Sequence, residues 1–268
     1  MKLIDLALGN EQFSHVILIP VLTSFLLLMN RSPLLTSHSW SPAGGTWVMF
    51  SGAVCYWLAD GISSVQDHLT VAILAFIVMC WGLYLFTFGH ESFRTNLFAM
   101  MLLLFMIPLP PILLDAVISF LQHSSADTVE ATFSGLGIQA IRKGFTFELS
   151  NFVILIEEEC SGIRSFFALV ITSLVAGHWF LASGWAKTIL VAVVIPLAII
   201  KNAFRIVGLA LLANNVDPAF LLDSVLHRYG GIPLFISSFA LLSIITWLLH
   251  RIEQRLECAL HDGSRAQT

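Results

Sequence analysis

Nine residues, Glu157 to Ser165, read EEECSGIRS and bring three carboxylates, a thiol, a glycine and an arginine to the start of a long apolar run. The chemistry available there is nucleophilic, because a thiol that loses its proton attacks carbonyls, and a helix amino terminus or a nearby cation favours that loss. If a helix begins near Cys160, its dipole acts on the thiol and Arg164 at i+4 shares its face. Glu157, Glu158 and Glu159 oppose the thiolate, so activation needs further cations. The bland alternative is a packed cysteine that does no chemistry. Cys55 and Cys80 fall in the middle of apolar runs and Cys258 in the C-terminal tail, so none is an evident disulfide partner for Cys160. An unpaired thiol facing an oxidising compartment is a liability unless its reactivity is used.

Two further candidates lie downstream. An arginine inside an apolar helix is costly, which makes Arg205 in KNAFRI a functional candidate; the structural alternative is an ion pair with one of the glutamates. From Cys160 to a turn near Gly184 is about 24 residues and from there to Arg205 about 21, so at roughly 1.5 Å per residue the chain descends about 36 Å and climbs about 32 Å. Arg205 therefore returns to nearly the depth of Cys160. Asn202, one turn before it, can orient it. His227 lies just before the last apolar run, at the same surface, where a histidine could equally be a solvated interfacial residue.

The elements that must position these residues are membrane helices. Of 268 residues, 57% are hydrophobic and only 11% charged, which excludes a sizeable soluble domain, and the net charge of −4 with scattered basic residues argues against a nucleic-acid partner. Apolar runs near 14–30, 46–62, 70–89, 95–109, 162–182, 187–213 and 230–250 predict an all-α polytopic membrane protein of about seven spans, six to eight at the limits, forming one integral membrane domain over 1–268. Arg31, Arg94, Lys187, Arg251 and Arg255 fall on one side of these spans; Lys2, Arg142, Lys143 and Arg228 fall on the other. The positive-inside rule makes the first set cytoplasmic, which puts the tail 251–268 inside and Cys160 at the outer surface. The first run is long, follows acidic residues and lacks a small-residue cleavage site, so it is expected to remain as an anchor.

One gap, 112–159, is long enough for an extracytoplasmic insertion. It follows Pro108-Leu-Pro-Pro111, which must end the preceding helix. Ile112 to Phe133 is apolar in its first half and polar in its second, the pattern of a helix lying at the membrane interface. Gly137 to Arg142, Phe145 to Leu149 and Phe152 to Ile156, separated by turn residues, predict a three-stranded β-meander that runs into Cys160.

The order CSGIRS, NAFRI and a histidine before the final span, preceded by PLPP and Gly-Ile-Gln-Ala-Ile-Arg-Lys-Gly, resembles the exosortase/archaeosortase family of membrane thiol transpeptidases, with a bacterial exosortase the nearer likeness. Phe13-Ser-His-Val-Ile-Leu-Ile-Pro20 also resembles that family's first span. The resemblance implies that Cys160 is the nucleophile, Arg205 the catalytic arginine and His227 the catalytic histidine, with Ser161, Gly162, Arg164 and Asn202 in the surrounding pattern and Glu159 beside it. It further implies cleavage or transpeptidation of secreted proteins whose C-terminal tail carries a short motif, a transmembrane helix and a basic cluster, the PEP-CTERM type, at the outer face of the inner membrane. On that reading Gly162 lets the backbone approach substrate, and the meander offers an edge strand to an extended peptide, with Phe145 and Phe147 as the positions to crosslink.

Two rival classes stay in view. A transporter could hold Arg164, Lys201 and Arg205 within the bilayer with Pro196 breaking a helix near their path, and an envelope-assembly scaffold would need no Cys160. His178 is expected toward the far end of its span, too distant to serve Cys160. Metal-ligand spacings, phosphate-cradling glycine loops and dinucleotide fingerprints are absent from the sequence, so no metal or cofactor is implied; membrane lipid and tailed substrate proteins are the expected partners.

Overall fold

The computed structural model describes residues 15–30, 42–149, 152–156, 161–215 and 231–265. They form helices and one small sheet, divided into two compact units, Met1–Leu114 and Asp115–Thr268.

The first unit holds α1 (His15–Met29), α2 (Pro42–Ala59), α3 (Val65–Thr95) and α4 (Leu97–Leu102), the last running into a 3-10 turn at Leu103–Met106. Glycines let α2 and α3 pack antiparallel at very short range. A Cβ on Gly45 would lie 2.5 Å from the Phe86 backbone nitrogen, and one on Gly82 would lie 2.6 Å from the Met49 nitrogen. Small residues at such contacts are how helices associate where lipid removes the hydrophobic drive. On the opposite side of α2, Trp47 and Trp57 are exposed, as suits side chains that face hydrocarbon. α3 is broken at Gly89, whose φ of 77° only glycine adopts without strain. Beyond the break, Asn96 accepts from Asn30 Nδ2 at 3.0 Å and donates to the Tyr84 hydroxyl at 3.0 Å, so the buried amide has partners on both ends.

α5 (Pro111–Gly135) starts on the last proline of PLPP, where a missing N–H costs nothing. From Asp115 onward it belongs to the second unit, with β1 (Ala140–Lys143), β2 (Thr146–Leu149), β3 (Val153–Leu155), α6 (Ile163–Phe180), α7 (Gly184–Asn215) and α8 (Gly231–Arg265). The strands pair antiparallel in the order β1-β2-β3, with Arg142 opposite Phe147 and Phe147 opposite Ile154. That register puts Phe147 and Ile154 on the buried face, packed with Ile156 against Ala126, Val129 and Phe133 of α5 and Ala203, Ile206 and Val207 of α7. Neighbouring strand residues Ile141, Val153 and Leu155 point the other way and are exposed. The Arg142 guanidinium bonds Asp127 at 2.7 Å and Glu130 at 2.6 Å, tying β1 to α5; hydrogen bonds to Glu130 and then Asp127 raise it above its ordinary pKa.

A second core joins α6, α7 and α8 through Leu169, Leu190, Val194, Leu242 and Leu249. At its end the buried Glu253 of α8 accepts from the Ser183 nitrogen at 2.8 Å, the Ala182 nitrogen at 3.2 Å and the Ser183 hydroxyl. These donors open α7, so a carboxylate meets the positive end of that helix.

Every expected span coincides with a helix, but among the described residues fewer than the expected seven are long and apolar enough to cross a membrane. Among the described residues α3, α6, α7 and α8 are long and apolar enough, and the pair Leu97–Met106 with Pro111–Gly135 makes a fifth if it is one broken span. α1, His15–Met29, has 15 residues and is short for a span, and glycine and proline dilute α2. The expected fourth span stops at Pro108, and ten residues rise only about 15 Å, half the hydrocarbon thickness. Pro196, at which the transporter alternative would break a helix, lies inside a continuous α7.

Candidate active site

α6 begins at Ile163, with Gly162 as its cap residue in the left-handed region at φ 79° and ψ 14°. The expected i+4 face shared by Arg164 and position 160 therefore does not apply, since Arg164 sits in the first turn of a helix that starts after Cys160. Its residue is exposed. Ser161 is 2% exposed, and its Oγ has no hydrogen-bond partner among the described residues.

The reason position 162 is glycine is packing as well as φ. A Cβ there would lie 3.1 Å from Asn202 Oδ1 and 3.2 Å from its Cγ. The space on the Cβ side of Gly162 is thus filled by an asparagine of α7. Asn202 is itself 1% exposed, and its Nδ2 donates to Ser125 Oγ of α5 at 3.1 Å. One residue earlier, Lys201 is 7% exposed and its ammonium donates to Ser165 Oγ; the Ser165 hydroxyl in turn donates to the Gly162 carbonyl at 2.8 Å. Gln122 of α5 donates to the Ile156 carbonyl at 2.6 Å, fixing the strand end that leads toward the acidic triplet.

These contacts show the register of the α6–α7 hairpin. Gly177 faces Lys187, Ser165 faces Lys201 and Gly162 faces Asn202, so each step back along α6 is matched by a step forward along α7. The described parts of CSGIRS and KNAFRI touch, at Gly162 with Asn202 and at Ser165 with Lys201. Arg205 follows Asn202 by three residues and Lys201 by four on the same helix, half-buried, with its Nε inside the protein. Glu159, Cys160 and His227 lie outside the described residues, as do Glu157 and Glu158.

Several partners of the site were not singled out as such in the sequence. Ser125 and Gln122 belong to a stretch that reads as the polar half of an interfacial helix, yet they lie on its buried side with Leu121, Ala126 and Val129. A period of three and four joining them to that apolar stripe was the available signal. Lys201 stood out only as an intramembrane cation, and Ser165 only as the last letter of the opening motif. Phe147, proposed for crosslinking, is 1% exposed and faces α5 across a T-shaped contact with Phe133, so it cannot meet an incoming peptide. Phe145 is half-buried against His123. His178 sits in the last turn of α6, about 24 Å along the helix from Gly162, as expected for a residue remote from the site.

A family model described as transmembrane exosortase matches residues 7–244 of the 268. The chain belongs to the transmembrane exosortase family. The match spans the CSGIRS and KNAFRI motifs, the meander and the first part of α8. No curated protein and no solved structure matches this exosortase. It is an integral membrane protein whose helix α7 brings an asparagine and a buried lysine to the turn at Gly162 that opens α6.

Proposed function

We propose that this exosortase is a cysteine transpeptidase or protease acting on the C-terminal sorting tails of secreted proteins, of the PEP-CTERM type, at the outer face of the inner membrane. The Cys160 thiolate attacks the scissile carbonyl carbon; the carbon–nitrogen bond breaks, the leaving amine takes a proton from His227, and a thioester remains on Cys160. An incoming amine or water then gives its proton to His227, attacks the thioester and releases the Cys160 thiolate. Arg205 stabilises the oxyanion at each tetrahedral stage, a task suited to a fixed donor in a site of low dielectric.

The observation that carries this reading is the docking of KNAFRI on the turn that follows Cys160: Asn202 against Gly162, and Lys201 bonded to Ser165. Continued three residues beyond Asn202, the hairpin register supports Arg205 being level with position 160. The family match supports the substrate class.

The test follows a reporter carrying a motif, an apolar helix and a basic cluster in membranes with the wild type, Cys160→Ala or Arg205→Ala. Processing stops with Cys160→Ala and falls about 10²- to 10³-fold with Arg205→Ala, the scale of losing one oxyanion donor. Unchanged processing with Cys160→Ala would overturn the thiol mechanism, and EEECSGIRS would be a structural junction.

A further inference from the structure

Lys201 is an ammonium 7% exposed on a helix long and apolar enough to span a membrane, and among the described residues no carboxylate forms an ion pair with it. Burying such a charge is costly. Its position suggests what the cost maintains. The ammonium donates to Ser165 Oγ, and that hydroxyl donates to the carbonyl of Gly162. Gly162 is the residue whose left-handed φ turns the chain into α6. Asn202, adjacent to Lys201, closes on the other side of the same glycine and is anchored to Ser125. Two consecutive residues of α7 thus grip one turn from two sides. A lysine serving only as packing would not need the serine relay, since its stem could reach a surface and its head water.

We propose that Lys201 is a positioning residue of the exosortase site, acting through Ser165 on the Gly162 carbonyl to fix the turn that joins position 160 to α6. The inference rests on the reading in which Cys160 carries the reaction. A hydroxyl alone can bond the Gly162 carbonyl and still rotate; with the ammonium donating to its oxygen, its one proton is directed at that carbonyl. Loss of either relay member leaves the turn present but loosely set, and small misplacements of reacting groups cost large factors in rate.

The experiment uses full-length protein in membrane vesicles, in a Cys55→Ala, Cys80→Ala, Cys258→Ala background that leaves Cys160 as the single thiol. Steady-state processing of the tailed reporter and alkylation of Cys160 by iodoacetamide are measured for Ser165→Ala, Lys201→Met, the double variant and Lys201→Arg. Each single loss lowers kcat by about 10- to 100-fold with KM unchanged, the double variant is no worse than the poorer single, and Lys201→Arg, which keeps a charged donor, recovers part of the rate. A double loss equal to the product of the single losses, or wild-type kcat in Lys201→Met, would overturn the proposal. Ser165→Ala, which removes one oxygen, gives the answer if Lys201→Met does not fold. Cys160→Ala measured alongside separates the two ideas. Processing that survives Cys160→Ala refutes the thiol reaction, whereas processing that needs Cys160 but ignores Lys201 and Ser165 refutes the positioning role alone.

Discussion

Gly162→Ala is the perturbation whose cost can be built from parts. Gly162 has a φ of 79°, and holding an L-residue in the left-handed region costs about 1–2 kcal/mol. The added methyl also meets Asn202 Oδ1 at 3.1 Å and Cγ at 3.2 Å. Asn202 is 1% exposed and tied to Ser125, so it cannot swing aside, and overpacking of this kind costs about 1–3 kcal/mol. The two terms together come to about 2–5 kcal/mol. Gly137→Ala isolates the first term, because Gly137 has a φ of 70° but a Cβ there meets nothing within 4 Å. Asn202→Ala isolates the second by removing the obstructing amide. Reversible unfolding in mixed micelles, followed by tryptophan fluorescence, reads each variant, and processing of the tailed reporter is measured in parallel. Gly162→Ala is expected to cost about 1–3 kcal/mol more than Gly137→Ala, and that excess is expected to vanish in the Asn202→Ala background. Equal costs at positions 162 and 137, or an excess that persists without Asn202, would refute the argument that α7 packs directly on the turn.

Two further outcomes test the frame around the site. Gly45→Ala puts a methyl 2.5 Å from the Phe86 backbone nitrogen, which only a backbone shift can relieve; a loss of about 1–3 kcal/mol is expected in the same unfolding assay. Gly61→Ala, where the nearest atom is 3.5 Å away, is the matched control. Glu253→Ala strips the Ala182 and Ser183 nitrogens of their acceptor and is expected to cost about 1–3 kcal/mol while leaving KM unchanged; a neutral result would show that water reaches the start of α7.

Much of the molecule is legible in its residues because hydrocarbon allows few solutions. Long apolar runs between charged turns become helices, since a backbone in lipid must satisfy its own hydrogen bonds. PLPP ends one helix and begins another because proline lacks the donor an interior turn needs. Alternation around Lys143-Gly144 sets a hairpin, and Gly144 adopts φ 65° where the chain reverses. Even the meeting of CSGIRS and KNAFRI follows from length alone, because two straight helices joined by a short turn return to the depth they left.

What the one-dimensional pattern could not determine depends on which face meets which. Among the described residues fewer helices are long and apolar enough to cross a membrane than the seven apolar runs expected, in part because hydropathy registers the run near 95–109 without registering that its helix ends at Met106, before Pro108. The second half of α5 reads as polar and interfacial, yet Gln122 and Ser125 turn inward because Ile156, just past β3, supplies an acceptor, Asn202 of α7 supplies a donor, and both elements supply apolar partners on that side. Gly162 reads as an opening for substrate, and only the approach of α7 shows Asn202 occupying that space. Lys201 reads as one cation among three; its bond to Ser165 arises from residues 36 positions apart. Residue types and spacing determined a membrane helix hairpin in which KNAFRI returns to the turn at Gly162. Tertiary packing alone decided which polar groups are buried together, because hydrogen-bond partners are chosen by the rotation of helices about their axes, and small errors in sequence-derived element ends leave that rotation open.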